Sequence, residues 1–310
     1  MKYAVIDIGS NTIRLCIYQA AGTNFRRLFS AKETAGLASY IKKGIMRADG
    51  INKAAEVLSY FASILTQFTL KDIYVFATAP LRNISNTLQV TSALYQKTGF
   101  DIDVLSGKQE ALYSYYGAMH GIQSSDGLLT DIGGGSTELV SFQDGRPTAS
   151  DSFSIGSLNL YNRLVSDILP TDDEIAAIDA YIEKTLKEGL QSDAFRGKLP
   201  AVPLLIGVGG TIRGLEKIIA RSKGLSAGGL NITRTEIDHL VDCASKRRKD
   251  FRDSVLKSCP ERIHTLLPGT LIVRQLMKQS GADLLRVSRH GVREGYLKYC
   301  LRQGKGGATA

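Results

Sequence analysis

The stretch Asp131-Ile132-Gly133-Gly134-Gly135-Ser136-Thr137-Glu138 carries the residue types needed for chemistry on an anion. It lies between two apolar runs, residues 127–130 and 139–142, and so reads as strand, tight turn, strand. Three glycines let the backbone come close to a ligand and leave N–H groups free to face an anion. An acid stands at each end of the turn. A carboxylate beside a phosphate cradle would repel the phosphate unless a divalent cation sat between them. Mg²⁺ suits that place, because it takes one or two carboxylates together with phosphate oxygens. Asp131 and Glu138 are therefore the candidate metal ligands, directly or through water, and Gly133, Gly134, Gly135, Ser136 and Thr137 the candidate phosphate ligands. The plainer alternative is that the two acids only hydrogen-bond the turn.

A second turn of the same design lies 124 residues upstream: Asp7-Ile8-Gly9-Ser10-Asn11-Thr12, again between strand-like runs. Asp7, Gly9, Ser10, Asn11 and Thr12 form a second phosphate-binding candidate. A third glycine cluster, Gly207-Val208-Gly209-Gly210-Thr211, follows the apolar run 202–206 and leads into a helical pattern. Strand, glycine turn and helix start make Gly209, Gly210 and Thr211 a third candidate. The paired Asp-Ile-Gly turns read as an internal duplication of one α/β unit.

These motifs resemble the actin, Hsp70 and sugar-kinase superfamily. Within it, the turns at 7–12 and 131–138 are similar to those of the exopolyphosphatase/guanosine pentaphosphate phosphatase (Ppx/GppA) family, over nearly the whole chain. The resemblance implies an α/β fold of two ribonuclease-H-like (actin-like ATPase) domains facing across a cleft lined by the phosphate turns. It also gives roles to two residues that mean little alone. Glu110 opens a helix, where a lone Glu ordinarily complements the dipole or caps the end. Ser106-Gly107-Lys108-Gln109-Glu110-Ala111 resembles a family segment whose Glu is the general base, a carboxylate that aims and deprotonates the attacking water. Many members carry two glutamates there, whereas this chain has Gln109 then Glu110. Arg82 follows a strand in a segment resembling the family's Thr-x-x-x-Arg, whose Arg contacts phosphate; a guanidinium suits two phosphate oxygens. Two departures are Leu112, where Arg commonly follows Glu-Ala, and His264, where many members have Asp. His264 is not expected to be a catalyst.

The elements that must position these residues follow from periodicity. Three strands within 2–33 precede a mixed stretch, 34–50, that reads as loop. A helix bears Ala54, Val57, Leu58, Phe61, Leu65 and Phe68 on one face. A strand at 73–77, a helix at 85–97, a short strand at 102–105 and a helix from 106 complete a first domain, 1–124. The second, 125–303, starts with strands at 127–131, 137–142 and 146–153. Helices follow at 157–166 and 171–189, the latter opened by Thr171 with acids behind it. A strand at 202–206 and a helix at 209–221 lead to Ser222 to Gly229, which reads as mobile. Helices at 233–251 and 267–279, a strand at 284–287 and a helix from 292 end the domain. The last helix, about 291–303, is placed to pack back on the first domain, and 304–310 is expected to be disordered.

A chain of 310 residues with 43% hydrophobic and 22% charged content has room for two globular domains. Asp7 and Arg14 break the N-terminal apolar run, so it is no secretory signal, and no run is long enough for a membrane span. Four scattered cysteines argue against zinc and disulfides and make the cytoplasm the default setting. Net charge is about +5 over 1–124, −7 over 125–200 and +11 over 201–310. The basic last third, with Lys246-Arg247-Arg248-Lys249, suits an anionic partner or simply a solvated surface.

The reading is an Mg²⁺-dependent exopolyphosphatase that hydrolyses the terminal phosphoanhydride of inorganic polyphosphate. Guanosine pentaphosphate (pppGpp) 5′-phosphohydrolysis at the same site is the alternative. A kinase of the superfamily and a non-catalytic sensor of polyphosphate or guanosine polyphosphates are the remaining rivals. No membrane and no specific nucleic acid is expected as partner. Oligomeric state is left open by the sequence, with a homodimer among the assemblies it allows.

Overall fold

The structure is a computed structural model that describes residues 1–22 and 24–304. The chain divides into two compact units, Met1–Tyr113 together with the chain from Arg293, and Ser114–Val292.

The first unit opens with an antiparallel meander, β1 (Lys2–Ile8), β2 (Thr12–Ala21) and β3 (Asn24–Thr34). The mixed stretch read as loop holds a small hairpin, β4 (Ile41–Lys42) and β5 (Ile45–Met46). Helix α1 (Ala48–Leu65) buries Ala54, Leu58, Phe61 and Leu65, the face its periodicity foretold. Then come β6 (Asp72–Ala77), the short α2 (Ala79–Arg82), α3 (Thr87–Thr98), β7 (Asp103–Val104) and α4 (Gly107–Ala118). The sheet order is β3-β2-β1-β6-β7. β1 is almost wholly buried, which is why it is a near-continuous apolar run, whereas β3 at the edge is mostly polar and exposed. β1, β6 and β7 are parallel and end in step: Ile8 lies beside Ala77, and Ala77 beside Val104. The three segments that follow them, 9–12, 78–82 and 105–110, therefore emerge at one edge of the sheet.

The second unit repeats the plan. It contains β8 (Gly127–Ile132), β9 (Thr137–Gln143), β10 (Arg146–Phe153), α5 (Ser157–Leu164), α6 (Asp172–Gly189), β11 (Leu204–Val208) and α7 (Gly210–Ser222). It continues with β12 (Asn231–Thr233), α8 (Arg234–Lys246), α9 (Arg248–Ser258), α10 (Leu266–Ser280) and β13 (Leu284–Val287). The sheet order β10-β9-β8-β11-β13-β12 matches the first unit strand for strand, with β12 added antiparallel at the far edge. Each unit has its own core, around Ile6, Leu15, Leu58 and Phe61 in the first and Leu128, Ile178, Leu215 and Leu271 in the second. The duplication inferred from two short turns is thus a duplication of a whole ribonuclease-H-like sheet.

Several expectations need correcting. The boundary expected at 124/125 falls inside α4, between Tyr113 and Ser114. From Ser114 on, the helix belongs to the second unit, because Ser114 Oγ donates to Asp131 Oδ2 and the Tyr115 ring packs against Phe142 with centroids 5.2 Å apart. The last helix, α11 (Val292–Gln303), lies with the first unit, the side on which its packing was expected: Tyr18 Oη donates to Glu294 Oε1 at 2.7 Å, and Tyr296 Oη donates to Asp103 Oδ2. The single helix expected over 233–251 is two, broken at Arg247, whose φ and ψ of −134° and 54° are not helical. The glycine-rich stretch read as mobile is tied down at its end. Glu216 Oε1, buried on α7, accepts the amides of Gly228, Gly229 and Leu230 at 2.9, 2.6 and 2.8 Å. Beyond Gly304, the tail expected to be disordered lies outside the described residues. No helix among the described residues is long and apolar enough to cross a membrane.

Candidate active site

In the first unit, the strand-end segments bring together the residues singled out from the sequence. The turn after β1 is closed by Gly9 N donating to Thr12 O at 3.1 Å, and Ser10 and Asn11 form its tip. After β6, Thr78 begins α2, which ends at Arg82. After β7, Ser106 caps α4: its Oγ accepts from Gln109 N, and Gln109 Oε1 accepts from Ser106 N, at 3.2 and 2.9 Å. This is a reciprocal capping pair, and Gln109 is its acceptor. The capping job that might have explained Glu110 is therefore done by its neighbour. Glu110, 8% exposed, instead accepts from Arg82 Nη1 at 2.6 Å, and the same nitrogen donates to Leu105 O at 3.2 Å.

Asp7 stands differently from the rest of its turn. Its Oδ2 accepts from Arg293 Nη1 at 2.8 Å, across 286 residues of sequence. Burial pushes the Asp7 carboxyl up, and the Arg293 guanidinium beside it pulls the other way. The acid of the first turn is thus neutralised inside the protein.

The second unit's glycine turn is built as an anion cradle. Gly133 N donates to Ser136 O at 2.9 Å and closes it. Its carbonyls are all held from behind by the start of α5. Gly133 O accepts from Ser157 N and Oγ, Gly134 O from Leu158 N and Asn159 N, and Gly135 O from Asn159 Nδ2, at 2.9 to 3.1 Å. Among the described residues, the amides of Gly134, Gly135 and Ser136 donate to no protein group. Three unspent donors on one turn, with every carbonyl turned away, present a positive face. Close packing explains the glycine at the back of the turn: a methyl on Gly156 would fall 2.4 Å from Gly134 O. Thr137 differs from its neighbours, since its hydroxyl is engaged by Ile155 O at 2.6 Å.

Asp131 and Glu138 are cross-strand partners in the β8–β9 ladder, so their side chains leave the same face of the sheet. They are 9% and 1% exposed. Asp131 accepts from Ser114 and Glu138 from Ser152 Oγ at 2.8 Å. Like charges directly opposed on a sheet repel, and burial sharpens the cost. An all-oxygen pair of acids beside free amides fits Mg²⁺, which needs only one or two carboxylates when phosphate supplies further oxygens. Among the described residues there is no cluster of three His, Cys, Asp or Glu side chains arranged to hold a metal without such help.

The third candidate starts α7. Gly209 has φ 104°, a left-handed value that favours glycine, and a methyl there would meet Ile132 O at 2.7 Å and Asp131 Oδ1 at 2.9 Å. The turns at 133–136 and 209–211 thus follow neighbouring parallel strands, with Val208 beside Asp131, at the carboxyl ends where α/β sheets bind ligands. Thr211 is buried, and its hydroxyl has no hydrogen-bond partner among the described residues. Arg262 is the residue that sequence reasoning missed. Its guanidinium lies over Gly210, where a methyl would fall 1.8 Å from Nη2, and it makes no hydrogen bond or ion pair among the described residues. Burial holds its pKa below the ordinary arginine value. It lies two residues before His264, and nothing local says that the fold brings it to a helix start 52 residues upstream. His264 packs on the Tyr161 ring with centroids 4.9 Å apart.

Two ribonuclease-H-like sheets, each with a glycine-bearing turn at its carboxyl edge, define an actin-like fold. Residues 16–303 match the model of the Ppx/GppA phosphatase family, and the chain belongs to that family. It is 24% identical over 301 residues, 96% of this chain and 90% of the other, to a Haemophilus influenzae protein named "Putative exopolyphosphatase". The crystal structure of an exopolyphosphatase from Cytophaga hutchinsonii superposes with a TM-score of 0.84 at 22% identity, covering 99% of this chain and 100% of that one. The Ppx/GppA family member of Aquifex aeolicus gives a TM-score of 0.79 at 24% identity, covering 98% and 99%. The chain is accordingly a phosphatase-family hydrolase with the family's fold.

Proposed function

We propose that the protein is an exopolyphosphatase that releases orthophosphate from the end of inorganic polyphosphate with the help of Mg²⁺. The observation that carries this reading is the turn at 133–136, whose carbonyls are all held and whose three amides are unspent. The name of the Haemophilus influenzae relative supports polyphosphate over a nucleotide.

In this reading Glu110 is the general base. It takes a proton from water as the water oxygen bonds to the terminal phosphorus and the bridging P–O bond breaks. Arg82, donating to Glu110, aims that carboxylate, and its planar guanidinium is the group the reading gives to a phosphate oxygen. The amides of Gly134, Gly135 and Ser136 stabilise charge on the phosphoryl oxygens, as preorganised donors do in such transfers. Arg262 at the start of α7 adds a cation for a neighbouring phosphate. Mg²⁺ held by Asp131 and Glu138 would neutralise phosphate oxygens.

The test is orthophosphate release from polyphosphate, guanosine pentaphosphate and ATP, each with and without Mg²⁺. Fastest turnover of polyphosphate, dependent on Mg²⁺, is expected. Preference for guanosine pentaphosphate would transfer the same site to that substrate, and binding without release from any of the three would make the protein a sensor.

A further inference from the structure

Behind the glycine turn, the surface of the second unit holds a pocket of about 260 Å³ lined by Ser154, Asn159, Leu160, Asn162, Arg163 and Tyr181. No acid lines it. Arg163 lies over the Tyr181 ring, 4.7 Å from its centroid, and its Nη1 donates to Tyr181 Oη at 3.1 Å. Among the described residues it has no carboxylate partner, in a stretch of chain, 125–200, that carries a net charge of −7. An arginine fixed on an aromatic ring rather than on an acid keeps most of its donors for something else. Tyr181 Oη, having accepted from Arg163, has its own proton to give, and Ser154 and Asn162 add a hydroxyl and an amide.

We propose that this pocket is a second anion site, distinct from the glycine turns, that takes one phosphate group. The guanidinium fork suits two phosphate oxygens, and the pocket has room for a phosphate group beside it. The site shares a wall with the turn. Asn159 lines the pocket and also donates to Gly134 O and Gly135 O, and Ile155, beside it, accepts from Thr137. Occupancy is therefore felt at the cradle through Asn159. The phosphate group can come from free orthophosphate, the product of the proposed reaction, or from the end of a short polyphosphate.

The experiment is NMR of the full chain. The Arg163 Nε–Hε signal, assigned by its loss in R163Q, is followed during titration with orthophosphate and, separately, with tripolyphosphate, in EDTA and at constant ionic strength. Backbone amides of Gly134, Gly135 and Ser136 report the cradle in the same spectra. A saturable shift of the Arg163 signal, weakened at least about fivefold in affinity by Tyr181→Phe, is expected; whichever anion saturates it at lower concentration is the better occupant. Shifts at the cradle with none at Arg163 would overturn the second site and leave the proposed function standing. So would an Arg163 shift matched by chloride. A saturable Arg163 shift without any hydrolytic activity would keep the site while removing the exopolyphosphatase reading.

Discussion

Arg82 and Glu110 form an ion pair, Nη1 to Oε2 at 2.6 Å, although 28 residues separate them. They meet because β6 and β7 are parallel neighbours that end in step. Glu110→Gln keeps the shape but removes both the base and the charge that Arg82 holds. Phosphate release should fall by at least about a hundredfold with polyphosphate binding retained. Gln109→Ala is the matched control. It removes the acceptor of the Ser106 amide, the reciprocal half of the α4 cap, which should cost about 0.5–1.5 kcal/mol of stability and leave turnover close to wild type. Equal loss of activity in both variants would mean that Glu110 acts only through the helix.

Opposed carboxylates at Asp131 and Glu138 should make activity depend on a divalent cation. Asp131→Asn, which can still accept from Ser114, and Glu138→Gln, which can still accept from Ser152, should each raise the Mg²⁺ concentration needed for half-maximal rate. Full turnover in EDTA would remove the metal from the mechanism. The same substitutions relieve repulsion, so thermal stability without metal should rise or hold.

For Arg262, a guanidinium with no hydrogen bond or ion pair among the described residues predicts a binding role. Arg262→Ala should raise KM for polyphosphate roughly tenfold or more, as expected for the loss of a hydrogen bond to a charged group. Arg262→Lys should recover part of it, since a point charge replaces a fork. Unchanged KM in both variants, with folding intact, would rule out contact with substrate.

The basic cluster at 246–249 is not one helix face. Arg248 Nη1 and Nη2 donate to Pro170 O and Leu169 O, so Arg248→Ala should cost about 1–3 kcal/mol of stability whatever the substrate. A test for tracking of a polyanion must therefore leave Arg248 alone. Replacing Lys246, Arg247 and Lys249 together by alanine should raise KM for long polyphosphate more than for short, and flatten its salt dependence. An equal change for both lengths would leave the cluster as a solvated surface.

Glu216 is a single carboxylate oxygen serving three backbone amides. Glu216→Ala should destabilise the second unit by roughly 1–3 kcal/mol, because three amide hydrogen bonds to one buried carboxylate are lost. Glu216→Gln, which keeps an oxygen there, should cost less. Thermal melting of the two variants measures the difference.

Much of this was legible in the sequence, for reasons that can be named. Strands such as β10 and β13 were bounded correctly because polar turns enclose them, and α6 because Thr171 and Glu174 write its capping box in four residues. The turns were visible because glycine clusters between apolar runs have few other uses. What escaped was set by contacts distant in sequence. Nothing near Arg262 points to Gly210, nothing near Arg293 to Asp7, and nothing near Glu216 to the amides that hold Gly228–Leu230 in place. The break at Arg247 escaped because the polar residues around it keep helical composition through the kink. β12 is three residues long and takes its strand character from β13 beside it.

The first unit is discontinuous, since its Asp7 is neutralised by a residue 286 positions later. Chains are made from the N-terminus, and domains generally fold as units while synthesis proceeds. The second unit is a single run, residues 114–292, and can complete itself as soon as that run is free. The first unit cannot. Until Arg293, Glu294 and Tyr296 have been added, Asp7, Tyr18 and Asp103 lack the partners they have in the finished protein. The half of the protein made first is thus finished last, and a chain stopped short of residue 293 would carry a complete second unit beside a first unit still waiting for its closing helix.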